Sequence, residues 1–286
     1  MAELHRNMEQ LNRSKTSFIS IAAHELKTPL TLIEGYSAMM RDMAITQPAE
    51  MGELMQGVAT GILRLRQIVD DMIDVSLIDN QLLSLNVQPV QMTQLFERLA
   101  ADFARTIRER RQQFLIKDFE GSKSWIYCDP ERIHQALKNV LANAIKFTPD
   151  EGRISVDGRI LPGFLEVVVA DTGIGISLED QVHIFDKFGQ VGRAELHSSG
   201  KTKFKGGGPG LGLAIARGIV QAHGGSIWVE SMGYDEKALH GSTFHILLPA
   251  RAQPTDARVV RLFEGLEASS PEIYGQEDTP TNHPAP

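Results

Sequence analysis

Features of secreted, membrane-spanning and nucleic-acid-binding proteins are missing from this chain of 286 residues. It has one cysteine, Cys128, which excludes an internal disulfide framework and suits a reducing compartment. No run reaches the roughly 18 to 20 apolar residues that span a bilayer, and the first residues do not resemble a signal peptide. The net charge of −7 gives no reason to expect nucleic-acid binding. We therefore predict a cytoplasmic chain without a membrane segment, whose longer parent protein could still be membrane-anchored.

The N-terminal part of the chain shows helical periodicity and lacks obvious strands. Apolar residues step by four and three within residues 1–15, which indicates a coiled-coil-like linker, and they do so again from Leu54 to Val75. Two such helices joined by a turn at residues 43–48 form an antiparallel hairpin. Because one hairpin would expose much apolar surface, we expect two copies to pair into a four-helix bundle. This helical domain is predicted to end at residue 84.

From residue 85 onward the pattern changes to strands and helices in mixed order. Helices are predicted at 92–111, 129–147 and 210–223, and strands at 85–90, 114–119, 124–128, 153–160, 164–170, 226–230 and 242–248. Asp129 as N-cap and Pro130 at the first helical position mark the start of the second helix. This order predicts an α+β domain over residues 85–250, with helices on one face of the sheet. Residues 251–286, where prolines accumulate, are predicted to be a flexible tail.

Two glycine-rich stretches lie beside predicted elements. Asp171-Thr-Gly-Ile-Gly-Ile176 follows a strand, and Gly206-Gly-Gly-Pro-Gly-Leu-Gly-Leu213 opens a helix. Glycine allows a tight bend or a close approach to a ligand, and the free N–H groups of a helix N-terminus can bind an anion. The second stretch therefore predicts a phosphate-binding loop, although it is neither a Walker loop nor a dinucleotide fingerprint. Each stretch taken alone is equally compatible with a tight turn.

Polar side chains also line one face of the helix that precedes these loops. Asn139, Asn143 and Lys146 are spaced i, i+4 and i+7 and so share that face. Two amide oxygens and an ammonium group suit a hydrated magnesium ion with phosphates, since magnesium prefers oxygen ligands. Without the glycine loops, a solvated polar face would be the favoured interpretation.

Taken in order, these motifs resemble those of the sensor histidine kinases of two-component systems. His24-Glu-Leu-Lys-Thr-Pro-Leu30 matches the H box of that family. The further matches are the N box at 139–146, the G1 box at 171–175, the F box at 185–188, the G2 box at 208–213, and the last motifs at 223–225 and 241–244. Each motif alone is weak or moderate, whereas their common order is a specific signal.

The resemblance implies both a fold and an activity. The expected fold is an antiparallel helical hairpin that forms a dimeric four-helix bundle, residues 16–84, followed by an α/β sandwich of the GHKL (Bergerat) type that binds ATP, residues 85–250. The expected activity is that of an ATP-dependent protein-histidine kinase that passes its phosphoryl group to an aspartate of a response regulator receiver domain and also dephosphorylates that regulator. The expected cofactors are ATP and Mg²⁺. The expected partners are a second copy of the chain, the regulator, and an upstream sensor domain or protein.

The resemblance also assigns roles around the H box. It implies that His24 is the phosphoacceptor, that Glu25 accepts a proton from its ring, and that Thr28 positions water for dephosphorylation of the partner. Small or polar residues that share the helical face of His24 leave room for a γ-phosphate; they are Ser17, Ser20, Thr28, Thr31 and Gly35.

The remaining motifs imply the nucleotide site. Asn143 is the expected magnesium ligand, with Asn139 and Lys146 close to the phosphates. Asp171 is expected to accept from the adenine amino group in a pocket shaped by Gly173 and Gly175. Thr243 is expected to assist Asp171 through water. The residues expected beside the triphosphate are Gly208, Gly210, Leu211 and Gly212, beneath a lid of residues 189–207.

Three alternatives stay open at this point. Chaperone, gyrase and mismatch-repair ATPases share the implied ATP-binding fold, but they lack an H box. A scaffold that binds ATP without phosphorylating conflicts with the complete set of nucleotide motifs. The sequence does not distinguish an active kinase from a core that acts mainly as a phosphatase.

Overall fold

The computed structural model describes residues 22–40, 48–187 and 210–250. The predicted linker, hairpin turn, lid and tail therefore lie wholly or mostly outside the described residues. Within the described ranges, no helix is both long and apolar enough to cross a membrane.

Two long helices form the N-terminal hairpin. Helix α1 covers residues 22–40 and helix α2 runs from Pro48–Asp79. The helices approach closely at two glycines of α2, because a Cβ at Gly57 would lie 2.5 Å from the Tyr36 ring and one at Gly61 would lie 2.6 Å from Ile33. Glycine inside a helix costs roughly 0.5–1 kcal/mol relative to alanine, so close packing against α1 offsets a local cost here.

The second half is a mixed α/β domain, as predicted. Its strands are β1 Gln88–Gln91, β2 Gln113–Ile116, β3 Trp125–Cys128, β4 Arg153–Leu161, β5 Phe164–Asp171, β6 Ser226–Glu230 and β7 Ser242–Pro249. Its helices are α3 Met92–Glu109, α4 Pro130–Phe147 and α5 Gly212–Ala222, with a 3₁₀ turn at Asp180–Val182. The five-stranded sheet has the order β2-β4-β5-β7-β6, with only the β2–β4 pair parallel, and β1 pairs separately with β3.

Two helix boundaries differ from the prediction for a backbone reason. Helix α3 ends at Glu109 because Arg111 adopts a positive φ of 51°, which ends the helical conformation. Helix α5 begins at Gly212 because Gly210 has a φ of 68°, a conformation that glycine adopts without strain.

The core lies between the sheet and its helices. Along β7 the residues alternate, so that Phe244, Ile246 and Leu248 are buried and the residues between them are only partly buried. Helices α4 and α5 contact each other and the sheet, and their apolar faces complete one continuous core. Alternation along β7 therefore assigns each of its residues to the helix-covered face or to the opposite face.

Asp129 and His223 join three elements at one end of this domain. The Asp129 carboxylate accepts from the backbone N–H groups of Glu131 and Arg132 at 3.1 Å, which confirms the predicted N-cap of α4. The N–H of Asp129 donates to Nε2 of His223 at 3.0 Å, while Nδ1 of His223 lies 2.8 Å from the carbonyl oxygen of Ile219. Burial lowers the pKa of His223, so the ring is held neutral with the proton on Nδ1.

The C-terminal end of α2 packs against the α/β domain. Val75 belongs to the common core, and Ile78 packs on Gly218 of α5, where a Cβ would lie 2.5 Å from its side chain. The buried Asp74 accepts from Arg132 at 2.7 Å and from Gln135 at 2.5 Å, both on α4. The two halves of the chain are therefore held together by apolar packing around a buried polar contact.

We expect Asp74→Ala to weaken this contact, because the half-buried Arg132 and Gln135 would each lose a hydrogen bond to its carboxylate. The expected loss is about 2 kcal/mol in the free energy of unfolding, the usual cost of an unsatisfied buried partner. Urea denaturation measures it. The matched control is Asp70→Ala on the same helix, whose carboxylate is 57% exposed and lies 3.9 Å from Arg66; a change there of about 0.5 kcal/mol or less is expected. Equal losses in both variants would contradict the role of Asp74.

Candidate functional site

The G1 loop begins where β5 ends, at Asp171. The Asp171 carboxylate accepts from the N–H of Gly173 at 2.8 Å, which folds the loop back on its own first residue. The N–H of Ile174 donates to the carbonyl oxygen of Phe147 at 3.2 Å. The N–H of Gly241 donates to the carbonyl oxygen of Gly173 at 2.9 Å. The loop is thereby fixed to the end of α4 on one side and to the start of β7 on the other.

Glycine is required at two positions of this loop. A Cβ at Gly173 would lie 2.5 Å from the carbonyl oxygen of Phe147, and one at Gly175 would lie 2.0 Å from that of Gly233. Gly175 also has a φ of 72°, which favours glycine. The loop therefore keeps its shape through backbone contacts that a side chain would prevent.

The Asp171 carboxyl group has an unusual proton affinity. Burial raises its pKa to about 7, and the N–H groups of Gly173 and Ser242 offset part of that increase. A carboxyl group that loses water without gaining a cation is poorly stabilised as an anion. Such a group is a candidate for binding a ligand that supplies a hydrogen-bond donor.

Strand register places Ser242 rather than Thr243 beside Asp171. Asp171 pairs with Ser242 across β5 and β7, and Ser242 is 7% exposed. Thr243 pairs with Ala170, so alternation directs it to the other face of the sheet. Ser242 was not among the predicted residues, although period-two alternation with the apolar Phe244 places it on the buried face of the strand.

Asn139 and the start of α5 adjoin each other. The Nδ2 atom of Asn139 is buried and has no hydrogen-bond partner among the described residues. A Cβ built on Gly212 would lie 3.5 Å from Oδ1 of Asn139, an ordinary contact distance. Leu211 is fully buried and anchors this end of the helix, whose first N–H groups have no acceptors within the helix itself. An unpaired amide beside a helix N-terminus provides donors for an anion.

Asn143 and Lys146 continue the same face of α4. Asn143 is partly buried, and Lys146 Nζ lies 4.6 Å from the centre of the Phe147 ring. Burial lowers the pKa of Lys146. Among the described residues, no group of three or more His, Cys, Asp or Glu side chains is suited to a metal ion. Asn143 contributes an amide oxygen to this face, and such an oxygen is a type of ligand that magnesium accepts beside phosphate oxygens and water.

The H-box residues lie on α1, far in the sequence from the Asp171 loop, the polar face of α4 and the start of α5. His24 is exposed. The Thr28 hydroxyl donates to the carbonyl oxygen of His24 at 3.3 Å, a bond within the helix. The Glu25 side chain is 14% exposed and lies in the hairpin, with its Oε2 4.0 Å from Nη2 of Arg64 on α2. Arg64 was not a predicted neighbour of Glu25, because residues 39 positions apart in the chain meet only through the pairing of the two helices.

The structure thus divides the predicted residues into two groups. Asp171, the glycine loop after it, the polar face of α4 and the start of α5 form one group, and the H box forms the other. Gly208, the lid of residues 189–207, Ser17 and Ser20 lie outside the described residues.

Two family models match this chain. Residues 14–81 match the His Kinase A (phospho-acceptor) domain, and residues 128–252 match the histidine kinase-, DNA gyrase B-, and HSP90-like ATPase. These matches cover the helical hairpin and most of the sheet with α4 and α5.

Curated relatives extend the similarity over most of the chain. Sensor histidine kinase WalK of Bacillus subtilis is 29% identical over 250 residues, which are 87% of this chain and 39% of WalK. Sensor protein DivL of Caulobacter vibrioides is 31% identical over 255 residues, which are 89% of this chain and 30% of DivL. The chain therefore spans well under half the length of these relatives.

Solved structures share the fold. Acinetobacter baumannii histidine kinase AdeS has a TM-score of 0.61 at 24% identity, over 80% of this chain and 98% of that one. Histidine kinase ThkA, in complex with response regulator protein TrrA, has a TM-score of 0.58 at 22% identity, over 86% of this chain and 64% of that one.

The raised pKa of Asp171 predicts a pH-dependent stability. Between about pH 4 and the folded-state pKa of about 7, the folded chain holds a proton that the unfolded chain has released. Stability therefore falls as the pH rises through this window, by at most on the order of 4 kcal/mol and by less because the residue is partly exposed. We expect Asp171→Asn to remove this dependence and to be more stable than the wild type at pH 8. Urea denaturation from pH 4 to 8 tests it.

Glu151→Gln is the control for that series, because the Glu151 side chain is 68% exposed. It is expected to retain the wild-type profile. A profile for Asp171→Asn that parallels the wild type would show that Asp171 does not hold the proton.

Proposed function

Since this chain belongs to the sensor histidine kinases of two-component systems, we propose that it transfers the γ-phosphoryl group of ATP to His24 and then to an aspartate of a response regulator. The observation that carries this proposal is the grouping of the Asp171 loop, the polar face of α4 and the N-terminus of α5 in one domain, with an exposed histidine on a separate helix. The first group matches the needs of a nucleotide, and the second those of a phosphoacceptor.

Adenine binding is assigned to Asp171. The exocyclic amino group of adenine would add a donor to the two backbone N–H groups, of Gly173 and Ser242, that stabilise this poorly solvated carboxylate. Ser242, buried on the same face of the sheet, replaces Thr243 as the residue we propose to assist it. Gly173 and Gly175 hold the loop that carries this contact.

Phosphate binding is assigned to α4 and α5. The Nδ2 donor of Asn139 and the ammonium group of Lys146 face the negative charge, and the free N–H groups at Gly212 add to them. Gly208 and Gly210 are proposed to continue this loop. Asn143 is proposed to hold Mg²⁺, which when bound neutralises charge on the phosphate oxygens during transfer.

The chemical step is assigned to the H box. A neutral nitrogen of the His24 ring forms a bond to the γ-phosphorus, and the bond from that phosphorus to the bridging oxygen of ADP breaks. The proton on the other ring nitrogen passes to the Glu25 carboxylate, which acts as general base. Thr28, one turn along α1, is proposed to position water when the regulator is dephosphorylated.

Dimerisation through the hairpin is also proposed. Large apolar side chains of α1 and α2 are exposed in the single chain, including Leu30, Met39, Met55, Ile62 and Leu63 at 46–66%. A second copy that covers them would complete a four-helix bundle. We propose residues 16–84 as this dimerisation and phosphoacceptor domain and residues 85–250 as the ATP-binding domain. A response regulator and an upstream sensor are the proposed partners.

We expect the purified chain, incubated with magnesium and γ-labelled ATP, to acquire a label that is acid-labile and base-stable. His24→Gln removes the acceptor and Asn143→Ala removes the magnesium ligand, so neither variant should be labelled. Asn80→Ala is the matched control, because Asn80 is exposed and its side chain donates to the carbonyl oxygen of Ser76. Label in His24→Gln would refute the assigned acceptor. An unlabelled wild type that still binds ATP would favour the phosphatase or scaffold alternative.

We expect Gly212→Ala to separate nucleotide binding from folding. The added methyl group makes only an ordinary contact with Asn139, so the free energy of unfolding should change by less than about 1 kcal/mol. The methyl group would nevertheless occupy the space proposed for phosphate, and the affinity for a non-hydrolysable ATP analogue should fall at least about tenfold, or ~1.4 kcal/mol. Titration calorimetry measures this affinity.

Gly52→Ala is the control for Gly212→Ala, since Gly52 is helical and a Cβ there meets nothing within 4 Å. Its affinity should equal that of the wild type. Unchanged affinity in Gly212→Ala would argue against phosphate binding at the start of α5.

A further inference from the structure

The Glu25 carboxylate has an unsatisfied oxygen inside the hairpin. Its Oε2 is buried and has no hydrogen-bond partner among the described residues, and the side chain is only 14% exposed. A buried carboxylate oxygen without a donor is unfavourable, since it has lost water and gained no hydrogen bond. A nearby cation would offset this cost.

Arg64 supplies that cation from the other helix. Its Nη2 lies 4.0 Å from Oε2 of Glu25, within ion-pair range but too far for a hydrogen bond. The Arg64 side chain is 26% exposed, so salt and water screen the pair less than they would a fully exposed one. A movement of about 1 Å would convert the pair into a charge-assisted hydrogen bond.

The position of Arg64 follows from a close contact between the two helices of the hairpin. Arg64 lies three residues after Gly61, where a Cβ would be 2.6 Å from Ile33 and 3.4 Å from the carbonyl oxygen of Pro29. This tight contact fixes α2 against α1 one turn beyond the H box. Arg64 is therefore held on a rigid helix within reach of the residue that follows His24.

We propose that Arg64 is a positioning residue for the phosphoryl transfer proposed above, and that it acts through Glu25. By holding Oε2, the guanidinium restricts the rotamers of the carboxylate and leaves Oε1 to accept the proton from the His24 ring. Arg64 takes no part in the bond changes: the ring nitrogen binds the γ-phosphorus, ADP leaves, and the ring proton goes to Glu25. Its contribution is the orientation of the base.

The test is a double-mutant cycle on the initial rate of phosphohistidine formation at varied ATP concentration. Arg64→Ala should lower kcat by about tenfold with KM for ATP unchanged, because Arg64 lies outside the nucleotide site. In the Glu25→Gln background, Arg64→Ala should have no further effect. Arg64→Lys should restore part of the rate, since lysine supplies the charge without the planar fork. Arg66→Ala, on the same helix with a side chain 81% exposed, is the matched control and should match the wild type.

Multiplicative losses of kcat in the double variant would overturn the proposal, as would a wild-type rate in Arg64→Ala. A purely structural role would instead lower the Tm of Arg64→Ala equally with and without Glu25→Gln. If the wild type forms no phosphohistidine, the proposed function fails. Thermal unfolding of the wild type, Arg64→Ala, Glu25→Gln and the double variant then decides whether Arg64 and Glu25 interact. Additive changes in Tm would overturn the positioning role as well.

Discussion

The placement of one carboxylate, that of Asp171, constrains most of the α/β domain. The group ends the central strand β5, faces the helix-covered side of the sheet, and receives only backbone N–H donors from its surroundings. Its loop is tied to α4 through Phe147 and to β7 through Gly241. Small changes in sheet register or helix position would therefore move this carboxylate. Such a poorly solvated carboxyl group is a candidate for binding a ligand that supplies a further donor.

Helix α2 links that domain to helix α1, which carries the H box. Near its middle, Gly57 and Gly61 permit close packing on α1, and Arg64 reaches Glu25. Near its end, Asp74 and Ile78 contact α4 and α5. The Glu25 side chain, which follows His24, and the α/β domain therefore both contact the same helix. A rotation of α2 would change both contacts together.

Local patterns predicted the fold well where the determining interactions are short in range. The cap at Asp129 with Pro130 located the start of α4, and the predicted strands at 153–160 and 164–170 correspond to β4 and β5. The end of α3 was less accurate, because it depends on the positive φ of Arg111. The separate pairing of β1 with β3 was not predicted, since strand pairing between distant segments leaves no local pattern.

The sequence by itself determined the types of residue at the site and their order: the H box, the amide face of α4 and the glycine loops are all readable as spacing. Even the preference for Ser242 over Thr243 is contained in the alternation of β7. Tertiary structure alone decided which groups meet and which lose water. The raised pKa of Asp171, the unpaired amide of Asn139 and the approach of Arg64 to Glu25 each depend on segments far apart in the chain. Burial and charge pairing are properties of assembled elements, so no single segment carries them.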